Sequence, residues 1–519
     1  MIIGRDSYQS LPIFLIKNAA VGDAKYRLII CAGRQYATDW GVDNMVVLRG
    51  TLKMKKGRTD GFSEGGETVE KTSVTELLER PGGQKYSIRI LVLVGIAMVF
   101  DGFDFMIVSF TMPQIMQEME LGYLATGSLS SFSIVGMLVG GFLAGYLADR
   151  FGRKNILNIC IAIYALLTVP VFFVHSFDAF AVCRVMSGLG VGAVIPLSVT
   201  LVSEYAPTAH RGKFVTLTKM FMMFGWVLAG LVAMYVVPRF GWRFCYLIGG
   251  FPAVYALLMH FVIPESVHWL VRQGRTEEAA LVYNKINAVL EAPRARAYVA
   301  SEIDMPRDDS GAKGQGQLRA LVSKKYIRVT LGIWLVAFST CALSYGLTNW
   351  MPTVLSQSGY SMSSSYALTT LMNAIGCVGA VFAGYMADRV GRIRSTYIAV
   401  ALSILAVLFL SFCGFGLGWM IPSVIIMGFT INYAFTTPQP ITIEVYPTEI
   451  RATGQACTTT VARVGGMITP ALIGGLMQSG MTFEIVLTVF VIPLLLTVVF
   501  TKFLIRNETR GRVIEELDD

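Results

Sequence analysis

Residues 145–153 read Gly-Tyr-Leu-Ala-Asp-Arg-Phe-Gly-Arg, and the same pattern returns 239 residues later at 384–392 as Gly-Tyr-Met-Ala-Asp-Arg-Val-Gly-Arg. Other strings recur at an offset of 239 or 240 residues: Met-Pro at 112–113 and 351–352, and Glu-Tyr-Ala-Pro-Thr-Ala-His-Arg at 204–211 as Glu-Val-Tyr-Pro-Thr-Glu-Ile-Arg at 444–451. Matches at one nearly constant offset indicate that the chain consists of two halves with the same architecture.

The composition places both halves in a membrane. Of the 519 residues, 54% are hydrophobic and only 15% are charged, whereas a soluble domain has about 25% charged residues. A bilayer core needs about 20 apolar residues per helix. The sequence contains twelve such stretches, centred at Phe100, Gly136, Ala165, Gly192, Gly225, Tyr255, Ala342, Ala374, Leu405, Ile426, Ile468 and Leu494. It therefore predicts an all-α membrane protein with twelve transmembrane helices in two six-helix bundles, and a parallel repeat of this kind places a substrate site between the bundles.

The remaining segments are polar. The predicted bundles cover residues 86–271 and 328–506, with a cytoplasmic loop at 272–327 and a cytoplasmic tail at 507–519. Residues 1–85 have only short apolar runs and no signal peptide. We expect them to form a cytoplasmic segment, with Met45 and Met54 as alternative starts of translation.

The positive charge of the chain, +9 in total, is unevenly distributed. Loops after odd-numbered helices hold two basic residues, Arg239 and Arg243, whereas the loops on the other side hold about two dozen. Because basic loops stay in the cytoplasm, we expect a multi-pass protein of the inner membrane with both termini cytoplasmic. The charge thus reflects topology in the lipid bilayer and predicts no nucleic-acid partner.

Several of these strings resemble the motifs of a known family. The string at 145–154 resembles the loop 2–3 signature of the major facilitator superfamily, and Arg184 to Pro196, with Gly188, Gly190 and Gly192, resembles its fourth-helix motif. Residues 264–279 resemble the end of its sixth helix, although His268 stands where arginine is usual. Residues 508–515 resemble its C-terminal motif, with Asn507 in place of the usual proline. The resemblance covers residues 86–515 and implies the twelve-helix transporter fold.

A narrower resemblance concerns the substrate. The Asp-Gly-Phe-Asp string at 101–104 is similar to a signature of the aromatic acid:H⁺ symporters, and 349–352 and 463–466 are similar to that branch as well. This implies a secondary transporter, a monomer working by alternating access, that moves an organic anion, most often an aromatic carboxylate, with protons. The proton gradient would supply the energy, without a cofactor. A porter of a sugar, a polyol or another metabolite and a proton-antiport exporter are the alternatives. No catalytic constellation or metal-ligand cluster is visible, so we expect no enzyme.

Proton coupling is assigned to charges inside the membrane. Asp101 and Asp104 lie half way along helix 1, where a charge costs roughly 2.5–3.5 kcal/mol. Their i,i+3 spacing puts both carboxylates on one helix face. The repeat has no acid at the equivalent positions, Thr340 and Leu343. Arg184 in helix 4 is the predicted partner in the proton relay.

Substrate binding is assigned to a second set of intramembrane residues. Arg463 in helix 11 can bind a carboxylate through two parallel hydrogen bonds. The other predicted substrate-binding residues are Asn349, Trp350, Tyr345 and Gln439. Phe105, Trp226, Tyr433, Phe435 and Asn432 are further candidates for the cavity. Lys219 is interpreted as a side chain that extends to the membrane interface.

Gating is assigned to the charges that both halves share. Such groups can pair in one state of a two-state transporter and separate in the other. The predicted gating residues are Asp149, Arg150, Arg153, Glu204 and Arg211 in the first half, and Asp388, Arg389, Arg392, Glu444 and Arg451 in the second.

Overall fold

A computed structural model of the chain describes residues 13–17, 26–30, 48–49, 74–80, 82–291, 314–414 and 416–502. Within these residues, twelve helices are long and apolar enough to cross a membrane. We number them spans 1 to 12: Gly83–Glu118, Tyr123–Phe151, Arg153–Phe173, Phe177–Glu204, Thr208–Phe240, Arg243–Val262, Ile327–Gln357, Met362–Val390, Arg392–Cys413, Gly418–Val445, Ile450–Gln478 and Phe483–Phe500. Every predicted centre lies inside the corresponding span, so the twelve-helix prediction is confirmed.

Some spans consist of two helical pieces. Span 3 is the α-helix Arg153–Thr168 followed by the 3₁₀ segment Val169–Phe173, and span 5 is the 3₁₀ turn Thr208–His210 followed by Arg211–Phe240. The paired pieces of spans 6, 10 and 12 are Arg243–Ile248 with Pro252–Val262, Leu417–Thr436 with Pro438–Val445, and Phe483–Val489 with Val491–Phe500. The second pieces of spans 6 and 10 begin at a proline. Proline suits a first helical position because its missing N–H would have no partner there.

Among the described residues, four shorter helices lie outside the spans: Val74–Glu79, Val267–Arg272, Thr276–Glu291 and Gly314–Leu321. The last two fall within the central segment that the sequence predicts as a loop. Thr276–Glu291 buries Ala279, Tyr283 and Ile286. A search for long apolar stretches misses such a helix, because only one of its faces is apolar.

The N-terminal residues form a separate unit, which contains three strands. Strands β1 (Ile13–Lys17), β2 (Tyr26–Ile30) and β3 (Leu48–Arg49) form an antiparallel sheet in that order. The short apolar runs of this segment thus become strands β1 and β2. The alternative starts Met45 and Met54 and the C-terminal tail lie outside the described residues.

Glycines bring spans 2 and 4 into close contact. A side chain at Gly192 would collide with the backbone carbonyl of Met137, and one at Gly140 with that of Leu189. Gly190, by contrast, faces Tyr164 of span 3. Small residues permit such close approach of helix backbones, as the sequence predicts for these glycines.

The second bundle repeats this contact between spans 8 and 10. Gly379 faces the carbonyl of Phe429, and Gly428 faces that of Met372. Gly379 and Gly428 are the repeat partners of Gly140 and Gly188, at offsets of 239 and 240 residues. The two bundles are therefore built on the same helix packing.

The two bundles meet along a seam that is tightest in one half of the membrane. We call the face with the loops after spans 2, 4, 6, 8 and 10 the basic face, and the other the opposite face. In the half next to the opposite face, Gly127 packs on the carbonyl of Pro470, and the Ser131 hydroxyl donates to the Met467 carbonyl at 2.6 Å. Near the basic face, Gly145 and Gly384 have open space where a Cβ would stand. The seam is thus closed toward the opposite face.

Candidate functional site

Arg184 and Asp104 form a buried ion pair inside the first bundle. Arg184 Nη1 donates to Asp104 Oδ1 at 3.1 Å, and Nη2 donates to the Asp104 backbone carbonyl at 2.9 Å. The Thr168 hydroxyl donates to the same carboxylate oxygen at 2.7 Å, and Arg184 Nε donates to Ser133 Oγ at 2.9 Å. The side chain of Arg184 is 0% exposed and that of Asp104 is 1% exposed. Spans 1, 2, 3 and 4 thus fix Asp104 and Arg184 in place.

Asp101 has a different environment, although it lies one turn from Asp104 on the same span. Its side chain is 1% exposed, and neither carboxylate oxygen has a hydrogen-bond partner among the described residues. A buried carboxylate without hydrogen bonds is costly, and protonation relieves that cost. Of the two predicted acids, Asp101 is therefore the one whose proton can be exchanged without breaking an ion pair.

Four aromatic side chains meet at the seam, and we call them the aromatic cluster: Phe105 of span 1, Trp226 of span 5, Tyr345 of span 7 and Phe435 of span 10. The Tyr345 ring centroid lies 5.0 Å from that of Phe105, 6.5 Å from that of Trp226 and 6.0 Å from that of Phe435. These distances are in the range of favourable ring contacts. Both bundles contribute rings, so the cluster lies where the repeat predicts a substrate site.

Two buried hydrogen-bond donors, one in the aromatic cluster and one beside it, have no acceptor among the described residues. The indole N–H of Trp226 and the side-chain amide nitrogen of Asn349 are buried and without an acceptor among the described residues. The side-chain oxygen of Asn349, Oδ1, accepts a hydrogen bond from the Ser109 hydroxyl across the seam. Buried donors of this kind normally have a partner, and a bound polar ligand would provide one.

Arg463 extends from span 11 into the seam, next to the aromatic cluster. A Cβ at Gly141 would lie 3.3 Å from Arg463 Nη1, so the guanidinium reaches span 2 of the other bundle. Gly466, one turn further along span 11, packs against the Tyr345 ring. Arg463 has no hydrogen bond or ion pair among the described residues. It is a cation that can accept an anionic ligand.

Lys219 is a second cation at the seam. Its ammonium donates to Gln439 Oε1 at 3.2 Å, which links span 5 to span 10 across the two bundles. The interpretation of Lys219 as a side chain that extends to the lipid interface is therefore wrong. Because Gln439 is neutral, the hydrogen bond leaves the charge of Lys219 uncompensated.

Three of the predicted cavity residues lie away from the aromatic cluster. Trp350 is fully buried, and its indole N–H donates to the Pro470 carbonyl at 2.8 Å. It therefore belongs to the packing that closes the seam toward the opposite face. Tyr433 lies inside the second bundle, where its hydroxyl is 3.0 Å from that of Ser395. Asn432 hydrogen-bonds within its own helix, to the Gly428 carbonyl at 3.2 Å.

The charges at the basic face pair within each bundle and in the same way in both. Arg153 forms an ion pair with Glu204, and Arg392 Nη2 with Glu444 Oε1 at 2.9 Å. These pairs are related by the 239–240 residue repeat. Arg392 also contacts Asp388 at 2.5 Å. The Arg153–Glu204 pair lies within the first bundle and the Arg392–Glu444 pair within the second, so these shared charges brace the loops of their own half in this conformation.

The other predicted gating residues have local contacts. Arg150 lies over the Phe151 ring at 5.4 Å, Arg389 bonds the Tyr385 hydroxyl, and Arg451 Nε donates to the Tyr446 carbonyl at 3.2 Å. The Arg211 side chain is exposed.

The Asp149 side chain is also exposed and has no ion pair among the described residues, in contrast to its repeat mate Asp388. Instead, the Asp149 backbone carbonyl accepts from Trp269 Nε1 at 2.8 Å.

The turn that both halves share after spans 2 and 8 requires a glycine. Gly152 and Gly391, between spans 2 and 3 and between spans 8 and 9, have φ angles of 102° and 110°. Other residues rarely adopt this conformation. In the first half, Glu265 then caps span 3 by accepting from the backbone N–H of Lys154 at 2.9 Å. Glu265 was not singled out from the sequence, and only its place in the sixth-helix motif could have indicated it.

The comparisons with known proteins agree with this architecture. The profile described as Major Facilitator Superfamily matches residues 94–470. The chain is 30% identical over 437 residues to the niacin transporter NiaP of Acinetobacter baylyi, covering 83% of this chain and 97% of that protein. It is 30% identical over 410 residues to the gallate transporter of Pseudomonas putida, covering 79% of this chain and 89% of that protein. It is 27% identical over 416 residues to the 4-hydroxybenzoate transporter PcaK of Acinetobacter baylyi, again covering 79% and 89%.

Solved structures show the same fold. The inward-open xylose transporter XylE from E. coli superimposes with a TM-score of 0.64 at 18% identity, covering 83% of this chain and 99% of that one. A bacterial homologue of the lysosomal transporter Spinster in an inward-facing conformation gives a TM-score of 0.64 at 15% identity, covering 82% and 99%. At such identities the likeness concerns the fold alone.

Proposed function

We propose that this chain, which belongs to the Major Facilitator Superfamily, is a secondary active transporter that carries an aromatic carboxylate together with protons by alternating access. The observation that carries this proposal is the aromatic cluster at the seam, with the guanidinium of Arg463 beside it. An aromatic carboxylate needs these two features, which are ring faces to stack on and a cation for its negative end.

The proposed substrate class is supported by the chemistry around the aromatic cluster and by the named relatives. The relatives named above transport niacin, gallate and 4-hydroxybenzoate, and each of these compounds has a carboxylate on an aromatic ring. Arg463 can hold the carboxylate through parallel hydrogen bonds. The free N–H groups of Trp226 and Asn349 can bind ring substituents such as hydroxyls. A neutral sugar would not use the positive charge of Arg463.

Proton coupling is supported by Asp101. It is a buried acid at mid-membrane depth with no hydrogen bonds among the described residues, and it lies one turn from the aromatic cluster. Ionisable groups in such positions commonly belong to proton relays. In this proposal Asp101 carries the proton, while Asp104 and Arg184 hold the first bundle together around it.

We further propose an orientation and a source of energy. The basic face is cytoplasmic, because basic loops remain inside, and this places both termini in the cytoplasm and the protein in an inner membrane. The proton gradient drives uptake without a cofactor, and one chain suffices for transport. The protein catalyses no chemical reaction.

The test is uptake by the purified protein in sealed vesicles. We expect accumulation of labelled 4-hydroxybenzoate, gallate and nicotinate when the vesicle interior is alkaline, and none when an ionophore removes the pH gradient. Vesicles without protein control for leakage of the acids through lipid. Uptake of xylose in place of the acids would favour the sugar porter. Accumulation only when the interior is acidic would favour the proton antiporter.

A further inference from the structure

Asp101 and Arg463 belong to different bundles but lie at the same depth in the seam. Phe105 of span 1 packs on Tyr345, with ring centroids 5.0 Å apart, and Tyr345 packs on Gly466 of span 11. Asp101 lies one helical turn before Phe105, and Arg463 lies one turn before Gly466. Spans 1 and 11 both run from the basic face to the opposite face, so both charges lie one turn from this contact toward the basic face.

Each of the two groups lacks another partner of opposite charge. The carboxylate oxygens of Asp101 have no hydrogen bond, and Arg463 has no ion pair, among the described residues. The other strong cation nearby, Arg184, is held by Asp104 at 3.1 Å. Asp101 and Arg463 also lie within electrostatic range of each other. Lys219, the other cation at the seam, is hydrogen-bonded to Gln439 and is not among the charges that act on Asp101. The cation that acts on an ionised Asp101 is therefore Arg463, which the proposed substrate also needs.

We propose that Asp101 and the substrate carboxylate compete for Arg463, so that a proton on Asp101 is required before the anion can bind. Ionised Asp101 attracts the guanidinium across the seam and neutralises it. Once Asp101 is protonated, Arg463 is released to the carboxylate of the substrate. This deepens the proposed function, on which it rests, because it supplies a physical reason why anion and proton travel together.

The balance of charge is simple. One proton binds to the carboxylate of Asp101, and one substrate carboxylate takes the place of that carboxylate beside Arg463, so the net charge of the pair is the same before and after loading. No covalent bond other than the O–H of Asp101 forms or breaks. Burial of an uncompensated charge is avoided in both states.

The other groups that face Asp101 are compatible with this exchange. On its own span it faces Asp104, which Arg184 of span 4 already neutralises. Tyr164 of span 3 lies within electrostatic range of both acids, and its hydroxyl has no partner among the described residues. It can accept a hydrogen bond from protonated Asp101. Tyr345 of span 7 is the remaining titratable group near Asp101.

The test is the affinity of purified protein for benzoate as a function of pH, from about pH 6 to about pH 9, where benzoate stays ionised. For the unmodified protein, we expect the Kd to rise about tenfold per pH unit once Asp101 is ionised, because one proton is linked to each bound anion. Asp101→Asn should bind benzoate tightly with no dependence on pH. Arg463→Gln should bind weakly at every pH, and benzamide should bind without pH dependence.

A matched control is Glu278→Gln, which removes an acid paired with Arg275 outside the spans. This variant should leave the slope, meaning the rise of the benzoate Kd with pH, unchanged. The competition is disproved if Asp101→Asn keeps the slope of the unmodified protein, or if it binds as weakly as Arg463→Gln at every pH. In either case transport of aromatic acids by the unmodified protein could still stand. Failure of the unmodified protein to bind benzoate, 4-hydroxybenzoate or nicotinate at any pH would overturn the proposed function together with the competition.

Discussion

Arg184 donates hydrogen bonds both to the side chain and to the backbone of Asp104, at 3.1 and 2.9 Å, and neither side chain is more than 1% exposed. This pair joins spans 1 and 4 at a depth where neither charge can reach water. Asp101, one turn away, has no such partner. Two acids that the sequence treats alike therefore have different surroundings in the folded protein.

The Arg184–Asp104 pair should contribute mainly to stability. Asp104→Asn leaves the Arg184 charge uncompensated, and loss of one partner of a buried pair typically costs about 3–5 kcal/mol. We expect a much lower apparent Tm in detergent for Asp104→Asn and for Arg184→Gln. The double variant, which removes both charges, should be more stable than either single one. Additive losses in the double variant would show that the two residues do not act as a pair.

The Lys219 ammonium should raise the local concentration of anions at the seam. Its only hydrogen bond between described residues is with neutral Gln439, at 3.2 Å. We expect Lys219→Met to raise the Kd for benzoate about five- to tenfold, or on the order of 1 kcal/mol. Lys219→Arg should have a smaller effect, and binding of benzamide should change in neither variant. Equal losses for benzoate and benzamide would indicate a packing defect instead.

The aromatic cluster should bind the ring of the substrate. Phe435→Leu keeps the side chain apolar but removes the ring that lies 6.0 Å from Tyr345, and ring contacts contribute about 0.5–1.5 kcal/mol. We expect a loss of affinity of about three- to tenfold for benzoate and little change for an aliphatic carboxylate. Phe429→Leu is the control, because Phe429 packs with Phe382 and Tyr433 away from the aromatic cluster. A similar loss in both variants would place the ring site elsewhere.

The close contact between spans 2 and 4 should depend on the absence of a side chain at Gly192. A Cβ there would collide with the Met137 carbonyl, and overpacked sites cost typically 1–3 kcal/mol or more. We expect Gly192→Leu to abolish the monodisperse peak of the folded protein in size-exclusion chromatography. Gly145→Ala should elute normally, because a Cβ at Gly145 meets nothing within 4 Å. Normal elution of Gly192→Leu would contradict the packing described here.

Much of the architecture could be predicted from hydropathy and from the internal repeat. The twelve spans follow from the length of the apolar stretches, and the equivalence of Arg153 and Arg392 follows from the offset of 239 residues. The helix Thr276–Glu291 could not be predicted in this way, since it is amphipathic and lies outside the twelve spans. The sheet of the N-terminal unit was missed because its strands are only 5, 5 and 2 residues long.

The site was harder to predict, because partners across the seam are far apart in sequence. The sequence marks Asp101, Asp104, Arg184 and Arg463 as charges at unusual depth, but it does not say which of them pair. It also assigns Lys219 to the lipid interface, because a lysine near the end of a span usually extends there. Only the contact with Gln439, 220 residues away, shows that Lys219 faces the other bundle.

The central claim is that Asp101 carries the proton that drives uptake, and paired transport assays in vesicles test it most directly. For Asp101→Asn we predict no accumulation of 4-hydroxybenzoate in response to a pH gradient. Exchange of labelled for unlabelled 4-hydroxybenzoate, which needs no net proton movement, should continue at a rate similar to that of the unmodified protein. Accumulation by Asp101→Asn to the level of the unmodified protein, or loss of exchange and accumulation alike, would contradict this account.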